Sequence, residues 1–197
     1  MQYKRLDEQN ETFISIIKQN HDLLIILDYL EKLKLPNFYI AAGAVFQTIW
    51  NYYDNRLINY GIKDIDIIFY DCNNLSKEYE DKLEKNIRNY LSQKNLHYDI
   101  DIHNEARIHL WKKENEIQNI DRYENSEDAI NQWIATVQAI GITKINKQIK
   151  VYAPYGLSDI FGKIIRPIKH KNNSKEIYNK KLINWQQRFD NLIIIDW

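Results

Sequence analysis

One cysteine, three prolines and five glycines in 197 residues leave few ways to cross-link or break this chain. With Cys72 alone, no internal disulfide framework and no cysteine-rich zinc site can form, which fits a reducing compartment. No apolar run approaches the roughly 20 residues a membrane helix needs. Residues 1–20 are polar and charged, unlike a secretory signal. A cytoplasmic protein with no membrane partner is expected. Net charge is absent too: 27 basic groups stand against 27 acidic ones, so a long nucleic acid is not an expected partner.

What is present is ordinary for a folded domain. Apolar residues make up 44% and charged residues 27%. The length supports one domain over 1–197 with a proper core. Charge is unevenly spread, because residues 163–188 carry 8 basic groups and 1 acidic one. Gly and Pro are so scarce that each marks a turn.

Apolar spacing predicts helices over residues 7–34, in two pieces broken near Asn20 to Asp22 and ended by Pro36. Phe38 to Ala42 reads as a short strand, and Gly43 opens a helix through Val45, Ile49 and Trp50. Ile62 to Asp71 reads as a strand, Glu78 to Leu91 as a helix, and His97 to His103, by strict alternation, as a half-buried strand. Asn104 to Trp111 is ambiguous, and Asn115 to Asn125 reads as loop. Ser126 starts a helix through Ile130 and Trp133. Thr136 to Ile145 with Gln148 to Ala153 reads as a hairpin. A helix with Leu157, Ile160, Phe161 and Ile164 then runs to Pro167, and a last helix carries Ile177, Tyr178, Leu182 and Trp185. Leu192 to Ile195 closes as a strand. The expected class is α+β: a mixed β-sheet flanked by helices, with N-terminal helices over 1–36, a core over 37–112, and a C-terminal hairpin and helical part over 126–197.

Chemistry concentrates on Asp64 and Asp66, which open an apolar strand. A strand repeats every two residues, so both carboxylates project from one face, within reach of one divalent cation. Two anions on an apolar strand repel and lose hydration, and a hard metal ion compensates for both. Chance alone gives about four acid-x-acid spacings in such a chain, most on solvated turns. The context raises this one: the strand at Phe38 to Ala42, the small-residue turn Ala41 to Ala44 and the helix start at Gly43 present free backbone N–H groups, an anion site. Asp99 and Asp101, on one face of the later strand, are candidates for a third carboxylate.

A Gly-Ala turn after a strand, a DxD pair on the next strand and a further carboxylate beyond it resemble the nucleotidyltransferase superfamily of the DNA polymerase beta type. The ordered blocks AAGAVFQTIWN (41–51), GIKDIDIIFYD (61–71), NEARIHLW (104–111), INQWIATVQAIGI (130–142) and VYAPYGLSDIFGKIIRP (151–167) are similar to a bacterial family of nucleotidyltransferase-like proteins. Tyr178, Lys181, Trp185 and the terminal Asp196-Trp197 continue the likeness. The resemblance implies metal binding by Asp64, Asp66 and Asp101, with Asp99 as the alternative third carboxylate. It implies approach of phosphate to Gly43, and it places Ala44 where the superfamily has a serine hydroxyl.

The implied reaction is transfer of a nucleoside monophosphate from an NTP to an acceptor hydroxyl, with two Mg²⁺ (or Mn²⁺) ions on the three aspartates and Asp101 as base. Lys63 and Arg107, or Arg166, would supply positive charge to the phosphates. His103 and His109 read as structural histidines, since no set of nitrogen or sulfur donors has zinc spacing, and Trp133 and Trp185 read as core. The acceptor is expected to be a small molecule or a protein. Two alternatives stay open: a nucleotide- or partner-binding protein without turnover, and a DxD glycosyltransferase.

Overall fold

The computed structural model describes residues 6–110 and 122–197. Trp111 and most of the loop expected over 115–125 lie outside the described residues. Helices α1 (Leu6–Ile17) and α2 (His21–Leu33) meet at Asn20. Its side-chain oxygen caps α2 by accepting from the Leu23 N–H, and its amide donates to the Thr48 hydroxyl at 2.9 Å. Next come β1 (Tyr39–Ala41), α3 (Gly43–Tyr53), β2 (Asp64–Phe69), α4 (Lys77–Gln93) and β3 (Asp99–Asn104). A 3₁₀ turn at Glu105–Arg107, α5 (Ser126–Asn131), β4 (Gly141–Ile145) and β5 (Gln148–Tyr152) follow, then α6 (Ser158–Phe161), β6 (Ile164–Ile165), α7 (Lys175–Gln186) and β7 (Ile193–Ile194). No described helix is long and apolar enough to cross a membrane.

Five strands form one mixed sheet in the order β3-β2-β1-β4-β5. β2 and β3 run parallel, joined across α4, and the other neighbours are antiparallel. The expected α+β class, a mixed sheet flanked by helices, is what the chain adopts. One face buries Ile40, Ile65, Ile67, Phe69, Ile100, Ile102 and Ile142 among side chains of α1 to α4. The opposite face is smaller: Tyr39, Ala41 and Ile68 pack with Ile130, Ala139 and Ile168. Asp64 and Asp66 alternate with Ile65 and Ile67, so they fall on this second face, where the apolar cover ends.

Helix α7 and the residues just after it rest on α3 through aromatic contacts. Trp185 meets the Phe46 ring at 5.7 Å and Phe189 meets Trp50 at 5.0 Å, both edge to face. The Tyr178 hydroxyl lies 2.9 Å from the Ile165 carbonyl and 2.7 Å from that of Ile195, tying α7 to the β6–β7 pair.

Three expectations are corrected. The first hairpin strand begins at Gly141 instead of Thr136, because residues 135–140 coil into a turn whose donors are taken by other carbonyls: Thr136 N–H by Arg166 and Ala139 N–H by Ala135. Gly141 suits the strand start, since a Cβ there would sit 2.8 Å from the Tyr39 ring. The helix expected to Pro167 stops at Phe161; Lys163 turns to φ 51°, and Ile164 and Ile165 pair with β7. Helix α5 ends at Asn131, which leaves Trp133 half-buried against the smaller cluster.

The segment after β3, ambiguous in sequence, is fixed by a buried ion pair. Arg107 Nη1 donates to Glu80 Oε2 at 2.7 Å, its Nε to the Leu75 carbonyl, and the Asn104 N–H to Glu80 Oε1. Both charged side chains are under 10% exposed. Removing one partner strands the other charge, so Glu80→Ala is expected to cost about 3–5 kcal/mol in denaturant unfolding. The paired change Glu80→Leu with Arg107→Met should cost far less, and equal losses would contradict the ion-pair account.

Candidate active site

The site grows from the junction of β1 and α3. Ala41 pairs with Asp66 across the antiparallel ladder, and the next residue, Ala42, turns to φ 51°, ψ −121° while its N–H donates to the Ile140 carbonyl. That backbone conformation ordinarily belongs to glycine and is strained for alanine. The sequence placed the special glycine at Gly43; the turn itself falls on Ala42. At Gly43 itself a Cβ would lie 2.9 Å from Gln47 Nε2, so the end of the Gln47 side chain would have to shift.

Helix α3 therefore starts at a sharp bend. No side chain caps it and no acidic residue stands in its first turn. The N–H groups of Gly43 and Ala44 have no acceptor within the helix, and they carry the positive end of its dipole. Gly43 is half-buried, and Ala44 as a whole is 1% exposed. Gln47, 4% exposed, leaves its Oε1 without a hydrogen-bond partner one turn above Gly43, a feature no sequence spacing disclosed.

The acidic side chains come from two neighbouring parallel strands. Asp64 is the register partner of Asp99, and Asp66 of Asp101. Strand neighbours lie about 4.8 Å apart and share a face, so Asp66 stands between Asp64 on its own strand and Asp101 on the next. Burial, then the charges of Asp64 and Asp101, push the Asp66 carboxyl up to about 6. Lys181, on α7, and His103 act in the opposite direction.

Asp101 is drawn toward a different partner. Its Oδ1 accepts from His103 Nε2 at 2.9 Å, and this hydrogen bond holds the Asp101 carboxyl below the usual carboxylate range. The same bond raises His103 to about 9, so the ring is an imidazolium at neutral pH. As placed, no three Asp, Glu, His or Cys side chains among the described residues are arranged to hold one ion. The crowded, partly desolvated charge of Asp64, Asp66 and Asp101 nevertheless fits a divalent cation in sign and number. For all three to reach it, Asp101 must turn away from His103.

The remaining candidates are dispersed. Asp99 is exposed and reaches Arg88 at 3.5 Å. Lys63 is exposed and precedes the strand, out of phase with Asp64 and Asp66; it lines a separate cleft with Arg88, His97 and Asp99. Arg107 is enclosed by its pairing with Glu80, and Arg166 pairs with Asp159 at 3.1 Å. Lys181, exposed on the flank of the Tyr178, Leu182, Trp185 stripe, is a charge whose influence on Asp66 no sequence spacing disclosed.

The sign of the Asp66 shift sets a pH dependence. Its folded value lies above the ordinary 3.8, so the folded chain holds this proton more tightly and loses stability as pH rises from about 4 to about 6. In EDTA at pH 7.5, Asp66→Asn should be more stable than the parent by about 2 kcal/mol, and the gap should close below pH 4. Thermal melts across that range check it; a gap independent of pH would contradict the burial and repulsion assigned to Asp66.

Two comparisons with known proteins bear on the family and fold. A family model described as nucleotidyltransferase matches residues 28–194. A solved NMR structure, described as revealing a CCA-adding enzyme head domain, is 28% identical, covering 100% of this chain and 98% of that chain with a TM-score of 0.77. No curated protein matches.

Proposed function

We take as premise that the chain belongs to the nucleotidyltransferase family and is a nucleotidyltransferase, and we propose that it moves a nucleoside monophosphate from an NTP to an acceptor hydroxyl at the Asp64–Asp66 face. Asp64, Asp66 and Asp101 would hold Mg²⁺ or Mn²⁺, which when bound supplies Lewis-acid charge at the phosphate oxygens. The observation that carries the reading is Asp66 itself, a half-buried carboxylate flanked by two others beside the uncapped N-terminus of α3.

Each residue has a defined task. The Gly43 and Ala44 N–H groups receive phosphate oxygens at the helix N-terminus, an interaction that needs no side chain and survives the missing serine hydroxyl. The acceptor oxygen forms a bond to the α-phosphorus as the bond from that phosphorus to its bridging oxygen breaks, and pyrophosphate leaves with the electron pair. Asp101, ionised at neutral pH, takes the acceptor proton once it has turned from His103. A small molecule or a protein hydroxyl suits a chain without net charge better than a long nucleic acid does.

A second reading, nucleotide binding without turnover, draws on two observations: Asp101 is engaged by His103, and Ala44 offers no hydroxyl. Incubation of the purified protein with labelled NTPs, Mg²⁺ and a cell extract separates the two. Transfer predicts a labelled product and released pyrophosphate, both lost in Asp64→Ala with Asp66→Ala. Tight NTP binding with no product across many acceptors would favour the silent reading, and no NTP binding with either metal would overturn both.

A further inference from the structure

We propose that the open cleft at the N-terminal ends of β2 and β3 is the acceptor site, and that it takes a small hydroxyl compound bearing a phosphate or carboxylate group. This narrows the acceptor of the nucleotidyltransferase reading and rests on that reading. The cleft has a volume of about 510 Å³, a size that suits a compact ligand. Strand pairing fixes where it opens. Lys63 directly precedes Asp64, and its carbonyl accepts from the Asp99 N–H at 2.9 Å. Asp99 in turn is the register partner of Asp64. By alternation Lys63 and Tyr98 fall on the side of Ile65 and Ile100, toward the larger core, whereas Asp99 falls on the side of Asp101. A single cleft lined by Lys63, Tyr98 and Asp99 therefore passes round the strand ends to the carboxylate side. Neighbouring strands lie about 4.8 Å apart, so a ligand at Asp99 is one strand from Asp64.

The lining has an apolar floor and a polar rim. Ile62 and Leu91 are buried and Leu96 is half-buried, a surface for a carbon skeleton, while Lys63, Ser92 and His97 are exposed around it. Arg88 is already committed: Nε donates to Glu84 at 2.7 Å, Nη2 to the Ile100 carbonyl at 2.7 Å, and Nη1 lies 3.5 Å from Asp99. Among the described residues Lys63 makes no hydrogen bond or ion pair, so its ammonium is the cation left to meet an anion. Helix α4 ends at this cleft, but its negative pole is covered, since the Leu91 carbonyl accepts from Lys94 and Leu96 and that of Ser92 from Asn95. With the anion at Lys63 and a hydroxyl donating to exposed Asp99, the compound is turned toward Asp64 and Asp101. Its hydroxyl oxygen then bonds to the α-phosphorus, the proton passes to Asp101, and pyrophosphate leaves with the electron pair of the broken bridging bond.

The test titrates the full, isotopically labelled chain, without metal or NTP, with glycerol 3-phosphate, glucose 6-phosphate and gluconate, and in parallel with glycerol and glucose. At least one anionic compound should shift the backbone amides of Lys63, Ser92, His97 and Asp99 saturably, and the uncharged compounds should bind there at least tenfold more weakly. Ser92→Trp fills the cleft from an exposed position and Lys63→Glu reverses its charge; each should weaken binding tenfold or more at an unchanged melting temperature. Lys94→Glu, on the same helix end but outside the cleft, should bind as the parent does. NTP with Mg²⁺ is followed separately at the amides of Gly43, Ala44 and Asp64, and Ser92→Trp should leave that binding intact. NTP binding with no saturable shift at the cleft, or parent-like anion binding by Ser92→Trp or Lys63→Glu, would overturn the acceptor cleft and spare the nucleotidyltransferase reading. Anion binding at the cleft of a protein that binds no NTP would overturn that reading, and the acceptor role with it.

Discussion

The parallel register between β2 and β3 is the constraint on which the site depends. Six residue pairs hold it, from Asp64 with Asp99 to Phe69 with Asn104. Ile65, Ile67, Ile100 and Ile102 must all face α4 and the larger core, and their burial fixes the opposite orientation of the aspartates. A slip of one residue would drive Asp101 into that core and expose Ile100 and Ile102, so the apolar face enforces the position of the polar one. The Glu80–Arg107 pair works to the same end, pinning the turn that follows β3.

With register fixed, the chain collects negative charge on one side and distributes the compensation. His103 neutralises Asp101, the α3 dipole lies beside Asp66, and Lys181 approaches from α7. None of these partners removes the elevation of Asp66, which burial and then the charges of Asp64 and Asp101 produce.

Much of this was legible in the sequence because it obeys short periods. Alternation set Asp64, Asp66, Asp99 and Asp101 on common faces, apolar spacing gave α1, α2, α4 and α7, and Pro36 ended α2 in the expected place. What escaped depends on contacts between distant segments. The strand β6 is two residues long, too short for any pattern, and exists because it pairs with β7, which falls inside the strand expected over Leu192 to Ile195. Arg107 looked available beside its block, yet its partner Glu80 lies 27 positions away. The bend at Ala42 hid behind a neighbouring glycine, since alanine gives no sign of a positive φ.

The account claims that a divalent cation settles at the Asp64–Asp66 face beside the α3 N-terminus. Substoichiometric Mn²⁺ added to isotopically labelled protein reads that location directly through paramagnetic broadening of backbone amides. Broadening centred on Gly43, Ala44, Asp64 to Asp66 and Asp101, and displaced by excess Mg²⁺, is the predicted result. Broadening centred elsewhere, or none at all at these amides, would contradict it.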